Sequence, residues 1–241
     1  MLIALAFAVL ALVMGGDSPF LIPKLDNYVK THVVDDGRKE IVLDYLKDAK
    51  AKRKAKVKQS NKEIKKLDNL FNSRTATKEE MNNAVKNIID LQAESQKANI
   101  KVNQEAQKNI TEEEWNAIIV DMGKGLEKAD KTITKANTQI SKAYTKWESK
   151  IEKSIMDENK KTKALESARK LKAIYLKNRE IIQAELMNKN SFMYQYKTPE
   201  NKLNSLQTKF IALVQELLDA VVTTHFELIE LTTEEEWKKI L

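Results

Sequence analysis

The feature that most constrains the fold is a run of seven positions spaced alternately three and four residues apart. Large residues alternate with alanine in this run, which comprises Leu126, Ala129, Ile133, Ala136, Ile140, Ala143 and Trp147. The spacing places all seven side chains on one side of an α-helix, where a neighbouring helix can cover them. The alanine layers allow close approach, and the larger side chains fill the remaining space. The run therefore predicts a long helix packed along a narrow apolar seam.

The same periodicity recurs along most of the chain, including Met81, Ala84, Ile88, Leu91, Ser95, Ala98 and Val102. We predict an all-α fold, an elongated bundle of long antiparallel, coiled-coil-like helices over residues 24–241. The long helices are expected at about 38–71, 78–108, 124–188 and 199–231, after a short helix that ends near Gly37. A phase shift near Ile151 and Ile155 is interpreted as a stutter within the third helix. The sequence has only 5 glycines and 3 prolines, which argues against a sheet with many turns.

Two capping boxes mark helix starts within this pattern. Thr77 precedes Glu80 by three residues, and Thr111 precedes Glu114 by the same spacing, so each pair can satisfy two backbone N–H groups. The motif Thr-Glu-Glu-Glu-Trp occurs at 111–115 and again at 233–237. Since the flanking sequences do not match, we interpret the motif as two capped helix starts. A matched pair of docking motifs is the alternative.

The first 23 residues have a different character from the rest of the chain. Thirteen apolar residues run unbroken from Leu2 to Met14, before Gly15 and Gly16, and they include Leu2, Ile3, Leu5, Phe7, Val9, Leu10, Leu12 and Val13. We interpret residues 1–23 as a membrane anchor or uncleaved signal; a cleaved signal and a buried helix are the alternatives. Asp17 is a candidate intramembrane acid, and an interfacial position is its simpler explanation. The short N-terminus favours export of the body to the periplasm, although Lys24 and Lys30 after the segment favour the cytoplasmic side.

The net charge of +7 is concentrated in one stretch. Residues 47–66 contain ten Lys or Arg residues against Asp48 and Glu63. The candidate basic interaction face comprises Lys47, Lys50, Lys52, Arg53, Lys54, Lys56 and Lys58. This face can bind anionic lipid, an acidic protein or nucleic acid, or it can be a solvated helix face. Nucleic acid is disfavoured because no aromatic residue interrupts the stretch.

The sequence gives no indication of catalysis. It contains no cysteine, no phosphate-binding loop, no dinucleotide fingerprint and no zinc-protease motif. His32 and Asp36 have the spacing of two metal ligands on a helix, but one such pair more often belongs to an ordinary surface. We therefore predict no enzyme activity, no cofactor and no metal site.

These patterns predict a non-catalytic, membrane-tethered helical scaffold or accessory subunit of a bacterial envelope complex. Its expected partners are other subunits or a second copy of the chain, together with membrane lipid through the N-terminal segment. Three alternatives remain open: a periplasmic chaperone-like binding protein, a helical pore-forming protein, and a cytoplasmic adaptor that binds nucleic acid or anionic lipid through the basic helix.

Overall fold

The computed structural model describes residues 20–241, apart from the side chains of Lys128, Ala129 and Thr132. Within these residues every regular element is an α-helix, which confirms the predicted all-α class. The helices are α1 (Leu25–His32), α2 (Asp36–Asn72), α3 (Lys78–Ala106), α4 (Glu112–Ser154), α5 (Glu158–Met187), α6 (Glu200–Leu231) and α7 (Glu234–Ile240).

Consecutive long helices run up and down the bundle. Their packing order is α2, α3, α6, α5 and α4. Hydrogen bonds between distant residues fix the antiparallel registers: Gln207 of α6 donates to the carbonyl of Ala93 in α3 at 2.8 Å, and Asn178 of α5 donates to that of Leu213 in α6, also at 2.8 Å. The short helix α1 packs against α2 and α4 at one end, and α7 packs against α4 at the other.

Buried side chains from all the long helices fill the space between them. α6 is the most apolar of these helices, and it packs against both α3 and α5. On the other side of α5, Tyr144 of α4 lies 5.7 Å from Tyr175 of α5 and 6.4 Å from Trp147 of its own helix, measured between ring centroids. All three side chains are almost completely inaccessible to water. Burial of this apolar surface is the main source of the bundle's stability.

A carboxylate joins the start of the bundle to α1. Glu114, in the first turn of α4, accepts two hydrogen bonds from the guanidinium of Arg38, at 2.7 and 2.9 Å. It also accepts from the backbone N–H groups of Val34 and Thr111. The last of these bonds completes the predicted capping box, so one side chain both caps α4 and holds the α1–α2 turn.

The predicted boundaries are wrong at three places. One helix was expected over 124–188, but α4 already begins at Glu112 and continues through Gly123 and Gly125. It ends at Ser154, where a tight turn at residues 155–157 leads into α5. The turn forms because Ile155 adopts an extended conformation with its side chain buried, and the Asp157 side chain caps α5 by accepting from the Lys160 N–H. Gly37 does not end the first helix. It lies in the first turn of α2, which Asp35 caps.

The membrane prediction concerns residues that are not described here. No helix between residues 20 and 241 combines the length and the apolar character that crossing a bilayer requires. The predicted anchor positions and Asp17 all precede Phe20, so they lie outside the described residues.

Candidate functional site: a groove rimmed by lysines

A groove of about 460 Å³ lies between α1 with its preceding residues and the first half of α2. Its apolar wall comprises Leu21, Ile22, Leu25, Leu43, Leu46 and Ala49. Asn99 and Val102 of α3 complete the lining, and both are buried. We call this cavity the α1–α2 groove.

The backbone before α1 is held in place by contacts with the core. Phe20 and Lys24 have left-handed backbone conformations, with φ of 70° and 56°. Such conformations are unfavourable for residues other than glycine and persist only where packing enforces them. Here the Phe20 ring lies 5.7 Å from the ring of Phe210, and its carbonyl accepts a 2.7 Å hydrogen bond from the Asn103 side chain. Residues 20–24 are thereby fixed as one wall of the groove.

The rim of the groove carries more positive than negative charge. Lys24, Lys30, Lys47, Lys50 and Arg53 line it together with two acids, Asp26 and Asp44. The four lysines are exposed, and among the described residues no carboxylate lies within ion-pair distance of them. Lysines without a partner carboxylate leave a local positive potential, which attracts anionic groups.

The predicted basic face is therefore divided. Only Lys47, Lys50 and Arg53, at successive spacings of three residues, line the groove. Lys52 instead pairs with Asp48 on its own helix at 2.7 Å, and Lys56 pairs with Glu94 of α3 at 2.9 Å. The last two members are exposed elsewhere on α2 and do not line the groove; they are Lys54 and Lys58.

One face of α3 buries a row of amides that sequence analysis missed. The row consists of Gln92, Gln96, Asn99 and Asn103, at spacings of four, three and four residues. We expected Ser95 and Ala98 in this seam, but Ala98 is exposed. The Asn103 amide bonds to the Phe20 carbonyl, whereas the Asn99 Nδ2 atom has no hydrogen-bond partner among the described residues. A buried donor without a partner costs free energy, so Asn99 is a candidate to contact a ligand.

The predicted seam of α4 lies on the inner side of that helix. Three of its large members, Leu126, Ile140 and Trp147, are buried. The remaining described members are partly buried; they are Ile133, Ala136 and Ala143. The side chain of Ala129 is outside the described set. This arrangement is typical of packing within the bundle.

The two histidines have different surroundings. The Nε2 atom of His32 lies 3.3 Å from a carboxylate oxygen of Asp121 on α4, rather than beside Asp36. His225 is buried among aromatic rings near the opposite end of the bundle. Within residues 20–241 no group of three or more His, Asp or Glu side chains is arranged to hold a metal ion.

The groove offers charged and apolar groups to any molecule that enters it. Its ionisable lining consists of lysine, arginine and aspartate, and it includes no histidine, serine or threonine from the described residues. Comparison of the chain with protein-family models, with curated protein sequences and with solved structures finds no match. The chemistry of the groove is therefore the main guide to function.

Proposed function

We propose that the protein is a non-catalytic helical scaffold, tethered to a membrane by its N-terminal apolar segment and held against an anionic lipid surface by the lysines of the α1–α2 groove. The observation that carries the proposal is the position of this groove. The apolar segment directly precedes Phe20 in the sequence. The residues that follow line the groove together with lysines that have no ion pair within residues 20–241.

The two membrane contacts reinforce each other. The apolar run of residues 2–14 is shorter than the roughly 20 residues that span a bilayer, so a basic patch that attracts anionic lipid adds to its hold on the membrane. Each lysine near an anionic surface contributes about 1 kcal/mol, and the contribution falls as salt is added. Lys24, Lys30, Lys47 and Lys50 together are therefore sufficient to orient the bundle on the lipid surface.

The long helices suit a role as a spacer or docking platform. α4 alone has 43 residues, so it is about 65 Å long at about 1.5 Å per residue. In this proposal the bundle projects into the periplasm and holds other subunits of an envelope complex at a fixed distance from the membrane. Protease treatment of spheroplasts tests on which side of the membrane the bundle lies. A periplasmic bundle is digested without lysis, whereas a cytoplasmic bundle is protected.

Vesicle flotation tests the lipid contact. The full chain is mixed with vesicles of zwitterionic lipid, with and without an anionic component. We expect Lys47→Glu/Lys50→Glu to weaken binding to the anionic vesicles by at least about 2 kcal/mol, since two favourable contacts are lost. The matched control is Lys54→Glu/Lys58→Glu, which changes the charge of α2 equally but away from the groove. Equal weakening by both pairs would contradict the assigned role of the groove.

The anchor is tested separately in the same assay. Leu5→Asp/Leu10→Asp places two carboxylates within the apolar segment, at a cost of about 3 kcal/mol each if the segment enters the bilayer. We expect this variant to remain with zwitterionic vesicles far less than the wild type does. Undiminished flotation with those vesicles would show that residues 2–14 do not anchor the protein.

A further inference from the structure

The α1–α2 groove has the size of a small-molecule site. Its volume of about 460 Å³ falls within the range of about 300–1,000 Å³ that is usual for bound ligands. A docked helix about 10 Å across would occupy about 420 Å³ for each turn of about 5.4 Å. The groove is therefore too small for more than one turn of a peptide helix. It is large enough to enclose most of a small ligand.

The distribution of polarity defines the class of that ligand. Leu21, Leu25, Leu43 and Leu46 form an apolar wall, on which a hydrocarbon chain can be buried. Lysines surround this wall at the rim, where they attract an anionic group. A molecule that contacts both the apolar wall and the lysine rim has one flexible apolar chain and one terminal anionic group.

The Asn99 side chain adds a polar group to the lining. Its residue is only 3% exposed, and its Nδ2 atom is buried without a hydrogen-bond partner among the described residues. The residue lines the groove, so this unsatisfied donor belongs to the same cavity as the apolar wall. A ligand oxygen at this point would then accept a hydrogen bond from a donor that otherwise has none.

We propose that the α1–α2 groove binds a long-chain fatty acid, with the hydrocarbon chain along the apolar wall and the carboxylate between Asn99 and the rim lysines. No covalent step is involved. The site goes beyond the tethered scaffold and does not depend on it, because the folded bundle supplies every contact.

Photoaffinity labelling tests the site directly. The full chain, in micelles of a neutral detergent, is irradiated with a long-chain fatty acid that carries a diazirine, and the labelled peptides are mapped by mass spectrometry. We expect the label on the peptides that contain Leu25 and Leu43–Ala49, and we expect unlabelled fatty acid to compete. Labelling spread over the helices, or confined to residues 2–14, would overturn the proposal.

Two pairs of variants separate the apolar contact from the charge. Ala49→Trp fills the groove and should abolish specific labelling, whereas Ala51→Trp, on the exposed side of the same helix, should not. Lys47→Glu/Lys50→Glu should weaken competition by the fatty acid about tenfold, and Lys54→Glu/Lys58→Glu should leave it unchanged. Circular dichroism and the thermal midpoint check that each variant is folded. Equal effects within either pair would refute the site.

The probe's head group provides the last distinction. A long-chain alcohol should compete about tenfold less well than the carboxylate, and equal competition would overturn the role of the lysines. Leu5→Asp/Leu10→Asp should still be labelled in the groove, because the folded bundle supplies every contact of the site. Labelling of the groove in a wild-type chain that does not float with vesicles would support the fatty-acid site and contradict the membrane tether. Flotation of the wild type without labelling of the groove would support the tether and contradict the fatty-acid site.

Discussion

His225 gives the most quantitative prediction of the structure. It lies in α6 with no exposed surface, and its ring centroid is 5.0 Å from that of Phe71, 4.8 Å from Phe226 and 5.3 Å from Trp237. Neither ring nitrogen makes a well-formed hydrogen bond among the described residues, and the nearby backbone of Phe71 only slightly stabilises the charged ring. Burial in these surroundings lowers the pKa of His225 from 6.5 to about 4, because the charged imidazolium is poorly solvated there.

The lowered pKa makes stability depend on pH in a defined window. Between about pH 6.5 and pH 4 the unfolded chain binds a proton at His225 and the native protein does not, so acidification favours unfolding. Lowering the pH from about 7 to about 4.5 should therefore reduce the free energy of unfolding by about 2 kcal/mol through this residue alone. The loss is complete below about pH 4.

Urea unfolding of the wild type and His225→Phe at both pH values tests this prediction. Phenylalanine suits the aromatic surroundings and removes two poorly satisfied polar atoms, so the variant should be about as stable as the wild type at about pH 7. Its loss of stability on acidification should be smaller by about 2 kcal/mol. If His225→Phe loses as much stability as the wild type, burial of a neutral histidine is not the cause.

Three further substitutions test contacts that join the helices, each by urea unfolding. Glu114→Gln should lower the free energy of unfolding by about 2 kcal/mol at neutral pH, since hydrogen bonds from Arg38 hold the pKa of this carboxyl at about 2. The difference from the wild type should shrink as the pH falls from about 4.5 to 2, and a constant difference would contradict this role. Arg74→Lys should lower the free energy of unfolding by about 2 kcal/mol, because the guanidinium donates to the Thr232 hydroxyl and to three backbone carbonyls at the end of α6. An unchanged urea midpoint would contradict this role. Asp157→Ala should cost about 1 kcal/mol through loss of the α5 cap, with Asp157→Asn close to the wild type; equal losses in both variants would refute a capping role.

The all-α class and the helix starts could be predicted because they depend on local sequence. The capping boxes of Thr77 and Thr111 form as expected, and Thr233 forms a third with Glu236. Each box involves residues three positions apart, so it needs no knowledge of the rest of the fold. Three of the four large residues of the α4 seam are similarly buried, because a three-and-four spacing specifies one face of a helix wherever that helix packs.

The break between α4 and α5 could not be predicted by the signals we used. Residues 155–157 contain neither glycine nor proline, and the apolar pattern continues on both sides with only a change of phase. A change of phase is compatible with a stutter in one helix or with a hairpin of two. Asp157, three residues before Lys160, was the available sign of a new helix start.

The groove depends on contacts between distant parts of the chain. Lys24 and Lys50 lie on different elements, and only the packing of α1 against α2 brings them to the same rim. The buried amides of α3 were missed for a different reason. Gln96 and Asn99 are polar, so a search for apolar positions passes over them, although their spacing was a signal in the sequence.

Spin labelling on vesicles tests the central claim most directly. The sequence has no cysteine, so Ala51→Cys and Ala173→Cys each provide one nitroxide at an exposed position. Ala51 is on α2 near the groove, whereas Ala173 is on α5, which α3 and α6 separate from α2 in the packing order. On anionic vesicles, we predict that the label at 51 loses access to a water-soluble paramagnetic quencher and that the label at 173 retains it. Unchanged access at 51, or protection at 173 instead, would contradict the account.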